Sequence, residues 1–297
     1  MLSPVTVLEV IQRTTSFLAK KGVDSARLQA ELLLAHVLHL PRMQLYLNFE
    51  RVLTQEQQDT LRKLVLRRGE REPLQHILGS TSFCGLEIVV SRHVLIPRPE
   101  TELLAEQGWT FLNQRVAPGL APTALDFGTG SGCLAVALAA QCPTAQVYAL
   151  DTAPEALEIA RENAARNGVA ERVRFLQGDG LATVPAELRF DLIVANPPYI
   201  PTSEIDLLQP EVRNYDPRSA LDGGPDGLSF YRHLANEAGP LLKSEGKLML
   251  EFGDGQENQL LELFQKQNWI VEGNVQDYTQ RPRLLILRKT ISPAGSN

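Results

Sequence analysis

The stretch that decides the fold is Thr123-Ala124-Leu125-Asp126-Phe127-Gly128-Thr129-Gly130-Ser131-Gly132, followed by the helical run Leu134–Ala140. Its first half is a short, mostly apolar run; its second half alternates glycine with small polar residues. A buried strand therefore ends in a tight turn, where glycine supplies positive φ and lets a ligand come close to the backbone. Outward from this stretch, strand-like runs at Gln146–Leu150, Val173–Leu176, Phe190–Ala195 and Lys247–Phe252 alternate with helical runs at Pro154–Asn167 and Leu228–Leu242. Alternation of this kind predicts βαβ units, an α/β class and a mainly parallel sheet. Ile270–Val275 and Leu284–Leu287 have little between them, so they are expected to end the sheet as an antiparallel pair. Ligands of such sheets lie at the carboxyl ends of the strands, which is where chemistry is to be sought.

Residues 1–73 read differently, as a small helical bundle. Ser3-Pro4 is a cap followed by a proline suited to a first helical turn. Asp24 or Ser25 caps the next segment, with Leu28, Leu32, Ala35 and Leu38 on one face. Thr54-Gln55-Glu56-Gln57 has capping-box spacing and precedes Leu61, Leu64 and Val65. Over residues 74–99, Phe83, Leu86, Ile88, Val89 and Val90 with Gly79 and Gly85 favour a hairpin linker that Pro97 and Pro99 stop. The expected organisation is thus a helical domain at 1–73, a linker at 74–99 and the α/β domain at 100–297, with a frayed tail from Ser292 to Asn297.

Composition bounds the function. The chain has 297 residues, 43% hydrophobic and 22% charged, the balance of a folded protein. Its net charge of −6 argues against coating nucleic acid, so no direct nucleic-acid binding is expected. Three cysteines supply no disulfide framework, and no Cys/His spacing suits zinc, so no metal is expected. His36 and His39 stand i, i+3 on a helix and are read as plain surface or packing residues. The N-terminus lacks the basic and apolar regions of a signal peptide, and no apolar run approaches a membrane span; a cytosolic protein is expected.

The turn after the first strand reads G-x-G-x-G, not the dinucleotide fingerprint, because position 133 is Cys133. Asp126 before it suits an ammonium better than a pyrophosphate. Asp151, ending the second strand, is placed to accept both hydroxyls of a ribose. Asp179 and Gly180, ending the third, stand where an adenine would be read. An ammonium, a ribose and an adenine without phosphate describe S-adenosylmethionine, with Asp126, Gly128, Thr129, Gly130, Ser131, Gly132, Asp151, Asp179, Gly180 and Asn196 as its candidate ligands.

The fourth strand runs into Asn196-Pro197-Pro198-Tyr199. The two prolines lack an N–H and stiffen the residues before them, so the ladder stops in a rigid corner. The Asn196 side-chain oxygen and the Pro197 carbonyl are two acceptors for the two N–H groups of an amide or an exocyclic amine, and Tyr199 supplies a planar face. Asn196, Pro197 and Tyr199 are the candidate catalytic residues, with Pro198 completing the substrate corner. Held there, a nitrogen is aligned on an activated methyl group without an obligatory general base. The motif indicates nitrogen methylation and leaves amide and nucleobase both open.

Over almost its whole length the sequence resembles the bacterial release factor glutamine methyltransferases. The matching stretches are Arg71–Gly79, Val94–Glu102, Asp126–Gly132, Asn196–Tyr199 and Tyr215–Leu221. The resemblance implies a seven-stranded, Rossmann-like class I methyltransferase domain behind a helical substrate-recognition domain and a hairpin. It implies S-adenosylmethionine as cofactor and class 1 peptide chain release factors as partner. The reaction implied is methylation of the glutamine side-chain nitrogen, N5, in their Gly-Gly-Gln motif, which acts in translation termination. The cofactor roles would fall on Gly128–Gly132 and Asp151, the glutamine on Asn196 to Tyr199, and the Leu95–Glu102 loop would border the site. The alternatives are a ribosomal protein glutamine methyltransferase, a DNA adenine-N6 methyltransferase and a non-catalytic cofactor-binding module. Two departures stand out. Gly180 replaces an aromatic residue that packs on adenine in some members, which leaves Leu181 for that contact. Asp277-Tyr278-Thr279-Gln280-Arg281 lacks the usual glycine of a turn.

Overall fold

The apolar runs become the strands of a seven-stranded sheet in a computed structural model that describes residues 5–290. In chain order the first elements are α1 (Val7–Lys20), α2 (Ala26–Leu38), α3 (Arg42–Leu45), α4 (Gln55–Gly69), α5 (Leu74–Leu78), β1 (Ser80–Phe83), β2 (Leu86–Val89) and α6 (Thr101–Gln114). There follow β3 (Thr123–Phe127), α7 (Cys133–Gln141), β4 (Gln146–Asp151), α8 (Pro154–Arg166), β5 (Val173–Gln177) and β6 (Phe190–Ala195). The last are α9 (Pro210–Tyr215), α10 (Ser229–Glu237), β7 (Leu242–Glu251), α11 (Glu257–Lys266), β8 (Trp269–Gln276) and β9 (Pro282–Lys289). The chain forms two units, one of residues up to Ser80 with Gln209–Tyr215, the other of Thr81–Leu208 with the residues from Asp216 onward.

In the helical unit, the described N-cap of α1 is Thr6, whose hydroxyl accepts from the Glu9 N–H while the Glu9 carboxylate accepts from the Thr6 N–H. The expected Ser3-Pro4 cap lies outside the described residues. Ser25 holds the N-cap position of α2 at φ +50 without a side-chain bond. The buried stripe of α2 is Ala30, Leu33, Leu34, Ala35 and Leu38, whereas Leu28 is exposed, a correction of one step around the helix. The reason is that α1 and α4 both pack on α2, so the apolar surface wraps wider than one ridge. Thr54 caps α4 through the capping box with Gln57, as the spacing predicts. Residues 74–78 are the helix α5 rather than the start of a hairpin, which begins only at Ser80.

The helical unit has a member that linear order conceals. Glu211 on α9 accepts from Arg68 Nη2 (2.8 Å) and from Arg71 Nε and Nη2 (2.6 and 2.7 Å), while Arg68 also donates to Gln29 (2.5 Å). Tyr215 donates its hydroxyl to the Glu70 carbonyl at 3.0 Å. Burial raises the Glu211 carboxyl, but the two guanidinium groups outweigh it and hold the pKa down at about 2. A segment cut from the middle of the α/β sequence is thereby part of the first unit.

In the second unit the sheet order is β5-β4-β3-β6-β7-β9-β8. β3 to β7 pair in parallel, and β9 is antiparallel to both β7 and β8, the end expected from the short connection between the last two runs. β7 starts at Leu242, ahead of the expected Lys247, and α10 stops at Glu237, short of the expected Leu242. Every residue of β6 is buried, as befits a central parallel strand covered on both faces. Ala124, Leu192 and Val194 face α6, α7, α8 and the β1–β2 hairpin; Leu125, Ile193 and Ala195 face α10 and α11. The strand order turns back between β3 and β6, and their carboxyl ends carry the glycine turn and the Asn-Pro-Pro-Tyr corner. That switch point is where a doubly wound sheet opens a crevice.

Candidate functional site

The glycine turn is built by its neighbours. Gly128, Gly130 and Gly132 sit at φ +71, +52 and +78. A Cβ on Gly132 would stand 2.8 Å from the Ala160 Cβ, so glycine there allows α7 to start against α8. The N–H groups of Gly128 and Thr129 both donate to the Leu150 carbonyl at 2.9 Å, which ties the turn to the end of β4. Asn163, fully buried on α8, donates to the Ser131 carbonyl (2.8 Å) and clasps both backbone groups of Val89 (2.7 and 3.0 Å). The hairpin and the turn are therefore joined through one amide, a role no local pattern marks.

Two carboxylates shape the turn from opposite sides. Asp151 accepts from Gly130 N–H at 2.8 Å with one oxygen and from Ala153 N–H at 3.0 Å with the other, and each oxygen keeps a lone pair. Asp126 is 1% exposed; its Oδ2 accepts from the Thr129 hydroxyl (2.5 Å) and the Ala135 N–H (3.1 Å), while Oδ1 has no partner among the described residues. Burial pushes its carboxyl up to about 7 against those two bonds. The residue expected to meet an ammonium thus lies beneath the turn, outside the cavity wall, because its own turn claims one of its oxygens.

A cavity of about 600 Å³ opens above the strand ends. It is lined by Gly128, Thr129, Gly130, Ser131, Asp151, Asp179, Gly180, Asn196, Pro197 and Pro198 of the expected set, and by Leu95, Pro97 and Thr101. Asp126, Gly132 and Tyr199 do not line it. Leu181 does, and so do Phe230, His233, Leu234 and Glu237 of α10, which the sequence reading missed. A helical run is legible there in the sequence, but not that its Phe230 edge faces a cavity. His36 and His39 are exposed, and no His, Cys, Asp or Glu cluster among the described residues suits a metal.

At the corner, Asn196 donates its side-chain N–H to Thr101 Oγ1 at 3.0 Å, which leaves its carbonyl oxygen as the group available to a ligand. The corner is fixed from behind: Gln256 donates to the Tyr199 carbonyl at 2.9 Å and accepts from the Gly253 N–H at 2.9 Å. The Tyr199 ring is packed so closely on Gly253 that an added Cβ there would stand 2.9 Å from it, and burial pushes the phenol up to about 12. The expected planar face thus packs against the core on the α10 and α11 side of the sheet rather than forming the cavity wall, since the ring follows the backbone turn that Gln256 enforces.

A backbone cradle, a carboxylate with free lone pairs and an orphaned buried carboxyl oxygen suit a cationic, ribose-bearing ligand. The family model described as "PrmC N-terminal domain" matches residues 9–79, and the model described as "Methyltransferase small domain" matches residues 105–209. The chain is 48% identical to the release factor glutamine methyltransferase of Geobacter sulfurreducens, covering 88% of this chain and 89% of the relative. It is 45% identical to that of Chlorobaculum tepidum, over 83% and 85% respectively. The chain belongs to the release factor glutamine methyltransferase family. It is an S-adenosylmethionine-dependent methyltransferase, and its sheet is the class I methyltransferase sheet. Among solved structures, the hMettl16 catalytic domain in complex with a 3'UTR hairpin shares this fold, with a TM-score of 0.56 at 14% identity over 84% of this chain and 87% of that one.

Proposed function

We propose that the protein transfers the methyl group of S-adenosylmethionine to the side-chain nitrogen, N5, of the glutamine in the Gly-Gly-Gln motif of class 1 peptide chain release factors. The observation that carries this reading is the Asn196 amide, which lines the cavity with its N–H engaged by Thr101 and its carbonyl oxygen left for a ligand. Glycines 128 and 130 with Asp151 would hold the cofactor, Asp151 through its remaining lone pairs on the ribose, and the wall of Asp179, Gly180, Leu181 and Phe230 would take the adenine. When bound, the cofactor supplies a methyl carbon made electrophilic by positive sulfur.

The protein's own part is alignment. Asn196 Oδ1 and the Pro197 carbonyl accept the two amide protons of the glutamine and hold the nitrogen facing the methyl group. Two acceptors on those protons raise electron density on a nitrogen that amide resonance otherwise keeps poorly nucleophilic. The nitrogen lone pair would displace the cofactor's sulfur from the methyl carbon, and the nitrogen, made acidic by the new bond, would give one of the protons held by Asn196 and Pro197 to solvent. Fixed placement of both reactants is worth several powers of ten in rate. Pro198 stiffens the corner, and Tyr199 braces it from the core. We assign the protein to the cytosol; no helix among the described residues is long and apolar enough to cross a membrane.

The test is mass spectrometry of the Gly-Gly-Gln peptide after incubation of the release factor with the protein and cofactor. One added methyl on the glutamine is the expected result. Label found on a ribosomal protein or on DNA instead, with none on the release factor, would overturn the assignment.

A further inference from the structure

Asn196 can perform its proposed task only in one of two orientations, because a side-chain amide turned over presents donors instead of an acceptor. What selects the orientation lies one layer deeper. Ala195 of β6 pairs with Leu250 of β7, so Asn196 and Glu251 follow in register at the ends of adjacent parallel strands. Thr101, the first residue of α6 and only 2% exposed, stands against both side chains. Its oxygen accepts from Asn196, and its hydroxyl lies against the Glu251 carboxylate, whose charged form it favours. Glu251 is 3% exposed, and its Oε2 has no partner among the described residues. The cations that face it are engaged elsewhere, Arg98 with Asp216 (2.6 Å) and Arg283 with Asp277 (3.2 Å). Glu100, Tyr199 and Tyr231 also face it, and the Tyr231 hydroxyl donates to its backbone carbonyl at 2.8 Å.

A carboxylate buried without an ion-pair partner is costly and calls for a reason. Resting on the reading of Asn196 given above, we infer that Glu251, acting through Thr101, is a positioning residue that fixes the Asn196 amide with its oxygen toward the glutamine. A threonine hydroxyl has one proton and two lone pairs. With the proton committed to Glu251, only lone pairs remain for Asn196, which must turn its N–H toward Thr101 and its oxygen outward. Without that commitment the hydroxyl can donate to Asn196 instead, and the amide then offers N–H groups to a substrate that also offers N–H groups. The chain of bonds from carboxylate to hydroxyl to amide also polarises the Asn196 oxygen, as linked hydrogen bonds do. The threonine lies 95 residues from Asn196 in sequence, so only the folded chain brings the three together.

Substitutions along the chain separate this role from mere packing. Thr101→Val keeps the shape and removes the hydroxyl. It is expected to lower kcat on the release factor on the order of 10- to 100-fold, with cofactor affinity by calorimetry and KM for the release factor within about twofold. Thr101→Ser restores the hydroxyl and is expected to recover most of the rate. In the wild type, kcat is expected to fall as pH drops from 8 to 6, because protonated Glu251 no longer claims the Thr101 proton; Glu251→Gln is expected to be slow and to lose that acid limb. Wild-type kcat in Thr101→Val would overturn the inference, as would an unchanged acid limb in Glu251→Gln. Asn196→Ala run in parallel separates the two levels. If it is crippled while Thr101→Val is not, the positioning chain alone fails; if it turns over normally, the reading of Asn196 itself fails.

Discussion

Asn196 lines the cavity with its N–H engaged by Thr101, and in the proposed reading its loss would be felt in the chemical step rather than in cofactor binding. Asn196→Ala is therefore expected to lower kcat on the order of 100-fold, with calorimetric cofactor affinity little changed. For Asp151 the opposite is expected. Its removal leaves the Gly130 and Ala153 N–H groups without their acceptor and takes away the proposed ribose contact. Asp151→Ala should weaken cofactor binding by roughly 1–3 kcal/mol, with a smaller effect on the rate at saturation. Asp126 adds a pH signature. Its pKa, raised from 3.8 to about 7, means that ionised Asp126 costs the cofactor-free protein stability as pH rises toward neutrality. A cationic ligand above the turn favours the ionised form, so binding releases a proton below pH 7 and weakens as pH falls. Calorimetry in buffers of different ionisation enthalpy reads that proton directly, and Asp126→Asn should abolish it.

Among the elements, the glycine turn and the last hairpin show what backbone geometry demands. Gly132→Ala would press a Cβ onto Ala160 at a φ of +78, so α7 would have to shift away from α8. Lost cofactor binding with a lowered thermal midpoint is the expected outcome. The turn between β8 and β9 reaches the same geometry without glycine. Gln280 adopts φ +64, and Asp277 Oδ1 supports the turn by accepting from the N–H groups of Thr279 and Arg281 (2.7 and 3.0 Å) and from the Thr279 hydroxyl (2.6 Å). The departure noted in the sequence has thus left the turn in place, with a strained residue and a carboxylate that holds it. Gln280→Gly should stabilise the protein by about 1 kcal/mol, seen as a small rise in midpoint. A fall instead would show that the glutamine side chain matters more than its backbone.

For the molecule as a whole, the helical unit depends on Glu211 in a way its linear order hides. Arg68 is only 5% exposed on its side chain, and Glu211 lies between it and Arg71. Glu211→Ala leaves a buried guanidinium without its counter-charge and should cost roughly 3 kcal/mol. The contribution has a definite pH window. The folded pKa of about 2 lies below the ordinary 4.5, so the stabilisation is complete above that ordinary value and is lost as pH falls through about 2. Acid unfolding followed by circular dichroism should begin at higher pH in the wild type than in a variant whose acid limb no longer includes this group, once both are referred to their neutral stabilities.

By itself the sequence determined the strand order of types, the glycine turn, the rigid corner and the acidic strand ends, because each depends on local periodicity or on what glycine and proline permit. It also carried the antiparallel close of the sheet and the capping box at Thr54. Tertiary structure alone decided which faces meet. It sent Asp126 and Tyr199 inward, brought Phe230 and Glu237 to the cavity, and drew the segment of Glu211 into the helical unit. It also set Thr101 between Asn196 and Glu251. The physical reason is that a side chain's role in a site depends on partners far along the chain, and those distances close only when the sheet pairs in register and the helices settle on its two faces.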